Sequence, residues 1–153
     1  MRRVVVTGLG AISPLGVGAQ RTWQRLLAGR SGIIDVSAFE PQSRWKGLPS
    51  TVAGVVPSGS TGKTDGRWDA SDWLDVGEQR RMSRFAQYAV AATRMALDHA
   101  GWDPSSQADL EATGVCLGSG IGNLDEMYST SVTFDKDVSL ASWTSPRPGE
   151  KRS

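Results

Sequence analysis

The period of the hydrophobic residues changes several times along the chain. From Arg3 to Thr7, "RVVVT", the apolar residues are consecutive and β-branched, the pattern of a short strand covered on both faces in a parallel sheet. Gly8 and Gly10 then turn the chain sharply. In "AQRTWQRLLAG" the residues Trp23, Leu26 and Leu27 recur at helical spacing, which predicts an amphipathic helix ended by Gly29 in a left-handed conformation. Residues 30–77 are rich in Gly, Ser and Trp with little periodicity, and read as a long surface excursion holding one strand at "STVAGVV".

The strongest periodic element is Glu78 to Ala100. Met82, Phe85, Ala86, Ala89, Thr93, Ala96, Leu97 and Ala100 repeat at helical spacing, Asp75 with Glu78 forms a capping-box start, and Gly101 followed by Pro104 forms the stop. Its alanine-rich face lets neighbours approach closely and predicts a central helix on which the fold packs. After a polar turn, Gly114 to Leu117 reads as a second buried strand, followed by a second glycine corner and a helix from about Asn123. Strand, glycine turn and helix thus occur twice with a long helix between them, which predicts an α/β fold with a largely parallel sheet.

Composition narrows the function classes. The 153 residues are enough for one domain with a sizeable core. Seventeen basic and sixteen acidic side chains leave a formal charge of +1 and are interspersed except at the very end, so neither a nucleic-acid stripe nor a polybasic membrane patch is indicated. Cys116 is the single cysteine, which excludes an internal disulfide framework and a cysteine-rich metal site and fits a reducing compartment. No run approaches the roughly 18 apolar residues of a membrane span. Arg2, Arg3 and the first strand follow Met1 directly, so a signal or transit segment is expected to be absent or already removed.

Two stretches resemble phosphate-binding motifs and both fall short. "GLGAIS" supplies Gly8 and Gly10 of a dinucleotide fingerprint, but the third position is Ser13, Pro14 stands where the helix would begin, and the nearest acidic residues are Asp35 and Glu40. A sharp structural turn is the favoured reading, with a small nucleotide-binding domain as the competitor. In "SGSTGKTDG", Gly62, Lys63 and Thr64 fit a phosphate loop, yet Pro57 holds the place of the first glycine and no apolar helix follows. His99 sits at the end of the long helix, where an imidazolium complements the helix dipole, so capping is expected in preference to catalysis. Cys116 in "GVCLG" is expected to be a buried strand thiol behaving as a small hydrophobe.

Taken in order and spacing, "RRVVVTGLGAISPLG", "RTWQRLLAGRSGI", "RRMSRFAQYAVAATRMALDHAG" and "ATGVCLGSGIGNL" resemble the amino-terminal part of the elongating beta-ketoacyl-acyl carrier protein synthases, the condensing enzymes of fatty acid synthesis. The resemblance runs from about Arg2 to Phe134 and lapses in the Trp-rich loop. "STVAGVVPSGS" and "GWDPSSQADLEATGV" are most similar to the mitochondrial branch, which implies a mitochondrial location with a cytoplasmic one as the alternative.

The resemblance implies a thiolase-like α/β fold of which this chain holds an incomplete amino-terminal half, and a structural glycine corner that binds no nucleotide. It implies no cofactor and no metal, acyl carrier protein and acyl thioesters as partners, and a homodimer in the full-length form. It also implies a reaction: an acyl group passes to a cysteine, malonyl-acyl carrier protein loses CO2 while two histidines polarise its thioester, and the resulting carbanion attacks the acyl-enzyme. The family's nucleophile stands in a Thr-Ala-Cys-[Ser/Thr] setting that Cys116 does not match, and His99 matches neither catalytic histidine, so no catalytic residue is assigned. Ile121 in "GSGIGNL" matches the position where the acyl pocket ends, which makes it the single candidate substrate-binding residue, with plain core packing as the other reading.

The pattern departs from the family near Asp137, so residues 1–136 are expected to form a partial synthase domain and 137–153 a divergent polar tail. Two functions follow: a truncated synthase without catalytic capacity, or a non-catalytic interaction module that pairs with a full-length subunit.

Overall fold

Two glycines place the amino-terminal segment against a helix. The computed structural model describes residues 3–36, 49–59 and 65–144, with side chains as far as residue 137. The chain divides into two compact units, Met1–Val115 and Cys116–Ser153. In the first, a methyl group on Gly8 would overlap the carbonyl oxygen of Ala96, and one on Gly10 would overlap the carbonyl oxygen of Ala92. Only a residue without a side chain lets one main chain lie this close to another. The alanine-rich face expected of the long helix is thus used, and its neighbour is a stretch of backbone.

Beyond this contact, Ile12–Ser13 (β1) and Gly16–Val17 (β2) form an antiparallel hairpin turning through Pro14 and Leu15, with Ile12 opposite Val17 and Ser13 opposite Gly16. Proline at the first turn position presets the required φ. The helix Ala19–Leu27 (α1) follows and is tied back to the hairpin, because Arg25 Nη1 donates to the carbonyl of Leu15 at 3.0 Å. Gly29, at φ +64, ends it as expected. Ile33–Asp35 (β3) then pairs antiparallel with Val52–Gly54 (β4), the strand expected in "STVAGVV".

The expected long helix is two helices. Val76–Arg81 (α2) starts with the capping box: Asp75 Oδ1 accepts from the Glu78 amide at 2.8 Å, and Glu78 Oε2 accepts from the Asp75 amide at 2.9 Å. The chain is then extended at Met82 and Ser83 before Arg84–Ala100 (α3) begins. Serine competes with helix by favouring cap geometry, and the break is stabilised from the α3 side. Gln87 Nε2 donates to the carbonyls of Gln79 and Met82, both at 3.0 Å, and Arg94 pairs with Glu78 at 3.2 Å. Gly101, at φ +61, closes α3. The polar turn after it contains a further helix, Gln107–Ala112 (α4), capped by Ser106 Oγ, which accepts from the Asp109 amide at 3.1 Å.

The core of this unit lies on the second face of α3. Ala91 is fully buried, and Val17 and Trp68 pack with it, flanked by Tyr88 and Met95. Trp68 meets the Tyr88 ring edge to face, with centroids 4.7 Å apart, a favoured aromatic geometry. The Trp-rich excursion is therefore not merely superficial: Trp68, Leu74 and Val36 are among the buried residues, and Trp68 packs on α3.

Other expectations are corrected. No parallel sheet forms among the described residues; both sheets are antiparallel pairs, and the one parallel link is an isolated bridge between Ser58 and Trp68. Val4, Val5 and Val6 are not in a strand and stand open to solvent, Val4 at 99 % exposure. Gly114–Leu117 is likewise irregular and exposed, so Cys116 is an exposed thiol and not a buried one. Such runs become strands only when a neighbour supplies the ladder and a cover for each face. The apolar side chains of α1, Trp23, Leu26 and Leu27, are also exposed, and α3 buries only Ala91 completely.

In the second unit, the helix expected from about Asn123 is Leu124–Thr144 (α5), which runs through the boundary expected after residue 136. Its start is capped by Asn123, whose Oδ1 accepts from the Glu126 amide at 3.3 Å while its Nδ2 donates to Glu126 Oε2 at 2.7 Å. No helix among the described residues is long and apolar enough to cross a membrane. The phosphate-loop-like Gly62, Lys63 and Thr64 and residues 145–153 of the polar tail lie outside the described residues.

Replacing Gly10 by Ala is expected to destabilise the chain by about 1–3 kcal/mol through overpacking against α3. Gly114→Ala, which enters open space, should stay within about 0.5 kcal/mol. Urea unfolding of the two variants checks this, and equal effects would remove the close approach as the reason for Gly10.

Candidate functional site

The first candidate is the glycine corner, where the fold already uses the Leu9 amide and the space beside both glycines. The backbones of Gly8 and Gly10 face the Ala96 and Ala92 carbonyls, and the Leu9 amide between them donates to His99 Nδ1 at 3.0 Å. Ser13, at the third fingerprint position, accepts from the Leu15 amide at 3.2 Å and lies 3.1 Å from the Thr22 hydroxyl. A phosphate site needs free backbone donors at a helix N-terminus. Here the central donor is used and the surroundings are helix carbonyls, so the arrangement is a packing device.

His99 stands in the last turn of α3, as the periodicity predicts, and its ring also has a partner beyond the helix. Nδ1 accepts a hydrogen bond, which requires its lone pair, and the partner lies on a segment remote in sequence. Periodicity places His99 at the end of the helix correctly, but no local signal discloses Leu9.

Ile121 lies in the loop between Leu117 and α5, "GSGIGN", where it carries the only apolar side chain. Gly118 and Gly120 have open space around their Cα atoms, and Gly122 has φ +78, a conformation glycine adopts without strain. The Gly122 amide donates to Ser119 Oγ at 3.1 Å, and Asn123 begins the helix, so the loop is fixed at its carboxyl side. Ile121 itself is 71 % exposed. It is not packed into a core among the described residues.

The other chemistry-bearing residues do not gather around it. Cys116 is exposed, and no group of His, Cys, Asp and Glu able to hold a metal ion occurs among the described residues. The structure thus brings together Gly8, Leu9, Gly10 and His99, and leaves Cys116 and Ile121 on an open loop. Sequence reasoning also missed the Ser106 cap of α4, although the serine followed three residues later by Asp109 signals it.

Comparison with known proteins gives a consistent result. The family model described as beta-ketoacyl synthase, N-terminal domain, matches residues 1–150. The chain is similar to 3-oxoacyl-[acyl-carrier-protein] synthase 2 of Rhizobium meliloti, with 44 % identity over 134 residues, covering 88 % of this chain and 30 % of that protein. It is 38 % identical over 140 residues to the mitochondrial 3-oxoacyl-[acyl-carrier-protein] synthase of Arabidopsis thaliana, covering 85 % of this chain and 29 % of that one. Among solved structures it is similar to the ishigamide ketosynthase/chain length factor, with a TM-score of 0.50 and 34 % identity over 71 % of this chain and 23 % of that chain. The expected thiolase-like α/β class is thereby shown, and the chain spans about 30 % of the length of these curated relatives.

If Ile121 were an ordinary core residue, Ile121→Ala would cost about 2–5 kcal/mol. The exposed position predicts a change within about 0.5 kcal/mol, measured by urea unfolding. Exchange of the Leu9 amide should in turn quicken in His99→Ala, with the Val17 amide, which donates to Gly66 at 3.0 Å, unchanged; amide hydrogen exchange reads both.

Proposed function

Because the chain belongs to the beta-ketoacyl synthase family through its N-terminal domain, we propose that it supplies the amino-terminal part of a condensing enzyme of fatty acid synthesis. The observation that carries this reading is the match across residues 1–150, together with relatives named as synthases acting with acyl carrier protein. The reaction joins an acyl thioester to malonyl-acyl carrier protein. An acyl group moves to a cysteine thiolate and releases the carrier thiol, malonyl loses CO2 to leave a carbanion, and the carbanion displaces the enzyme thiolate to give the 3-ketoacyl product.

The 153 residues contain neither the Thr-Ala-Cys setting nor a pair of histidines, and their part in this chemistry is to build scaffold and pocket. The glycine corner fixes the amino-terminal segment on α3. Ile121 projects from its loop as an apolar wall for the distal end of the acyl chain, where bulk limits the length accepted. Acyl carrier protein is the protein partner, a homodimer is the working assembly, and the mitochondrion is the compartment, in line with the mitochondrial relative.

A second reading has its own support in the exposed apolar residues Val4, Val5, Val6, Trp23, Leu26 and Leu27. A chain with this much uncovered apolar surface pairs with a full-length synthase subunit as a non-catalytic module.

A chimera separates the two. Residues 1–136 of this chain replace the matching part of the Rhizobium meliloti synthase. The chimera is expected to form 3-ketoacyl product from acyl- and malonyl-acyl carrier protein, and the 153-residue chain alone is expected to form none. Ile121→Phe in the chimera should lower turnover of long acyl chains at least tenfold more than that of short ones, a discrimination of about 1.4 kcal/mol. A folded but inactive chimera would overturn the scaffold reading, and an unchanged chain-length profile would remove Ile121 from the pocket.

A further inference from the structure

We draw no further inference here: the strongest candidate, the exposed apolar stripe of Leu124, Met127 and Phe134 on helix α5, is an unpartnered face, and nothing in the structure shows what covers it.

Discussion

The amino-terminal unit depends on the approach of one bare stretch of main chain to one bare face of a helix. Gly8 and Gly10 present no side chain, and Ala92, Ala96 and Ala100 present only methyl groups, so carbonyls of α3 meet the glycine backbone directly. Neither glycine can carry a side chain without pushing the two apart. From this contact follow the placement of the Leu9 amide on His99 and the direction in which the chain enters the β1–β2 hairpin. The adjacent face of α3 does a different job, with Tyr88, Ala91 and Met95 receiving Trp68 and Val17. One helix therefore serves two kinds of packing: a small-residue face for backbone and an aromatic-lined face for a side-chain core.

The open apolar rows show the opposite constraint. Val4, Val5, Val6, Val115 and Leu117 have the composition of buried strands but are exposed. Covering a valine or leucine fully is worth about 1.5–3 kcal/mol, and a strand adds the ladder that its backbone groups require. Neither is available among the described residues. Such runs form strand only where a neighbour supplies both, and the chain spans about 30 % of the length of the curated relatives it matches.

What could be read from the residues divides along the same line. The capping box at Asp75 and Glu78, the left-handed stops at Gly29 and Gly101, and the start of α5 at Asn123 are local matters, settled within a few residues, and all were legible. The cap of α4 was equally local and was passed over. The break at Met82 and Ser83 was harder to see, because the helical period continues across it and the hydrogen bonds from Gln87 that stabilise it lie on the next helix. The burial of Trp68 and the bond from Leu9 to His99 were not legible, since each rests on residues far apart in sequence. Ile121 was found through the family resemblance alone; its pattern of neighbours signals a turn and says nothing of a ligand.

The two glycine corners show why a short motif is weak grounds for function. Both have glycines at alternate positions after an apolar run, yet they use the absence of a side chain in different ways. At Gly8 and Gly10 it lets a helix come close, and the site is filled by protein. At Gly118, Gly120 and Gly122 nothing comes close, and the glycines shape a loop whose one apolar side chain, Ile121, remains at the surface. The first corner has no room for a ligand because its donor and its space are already taken. The second leaves its glycines uncrowded and its one apolar side chain exposed, a difference that is invisible in the motif.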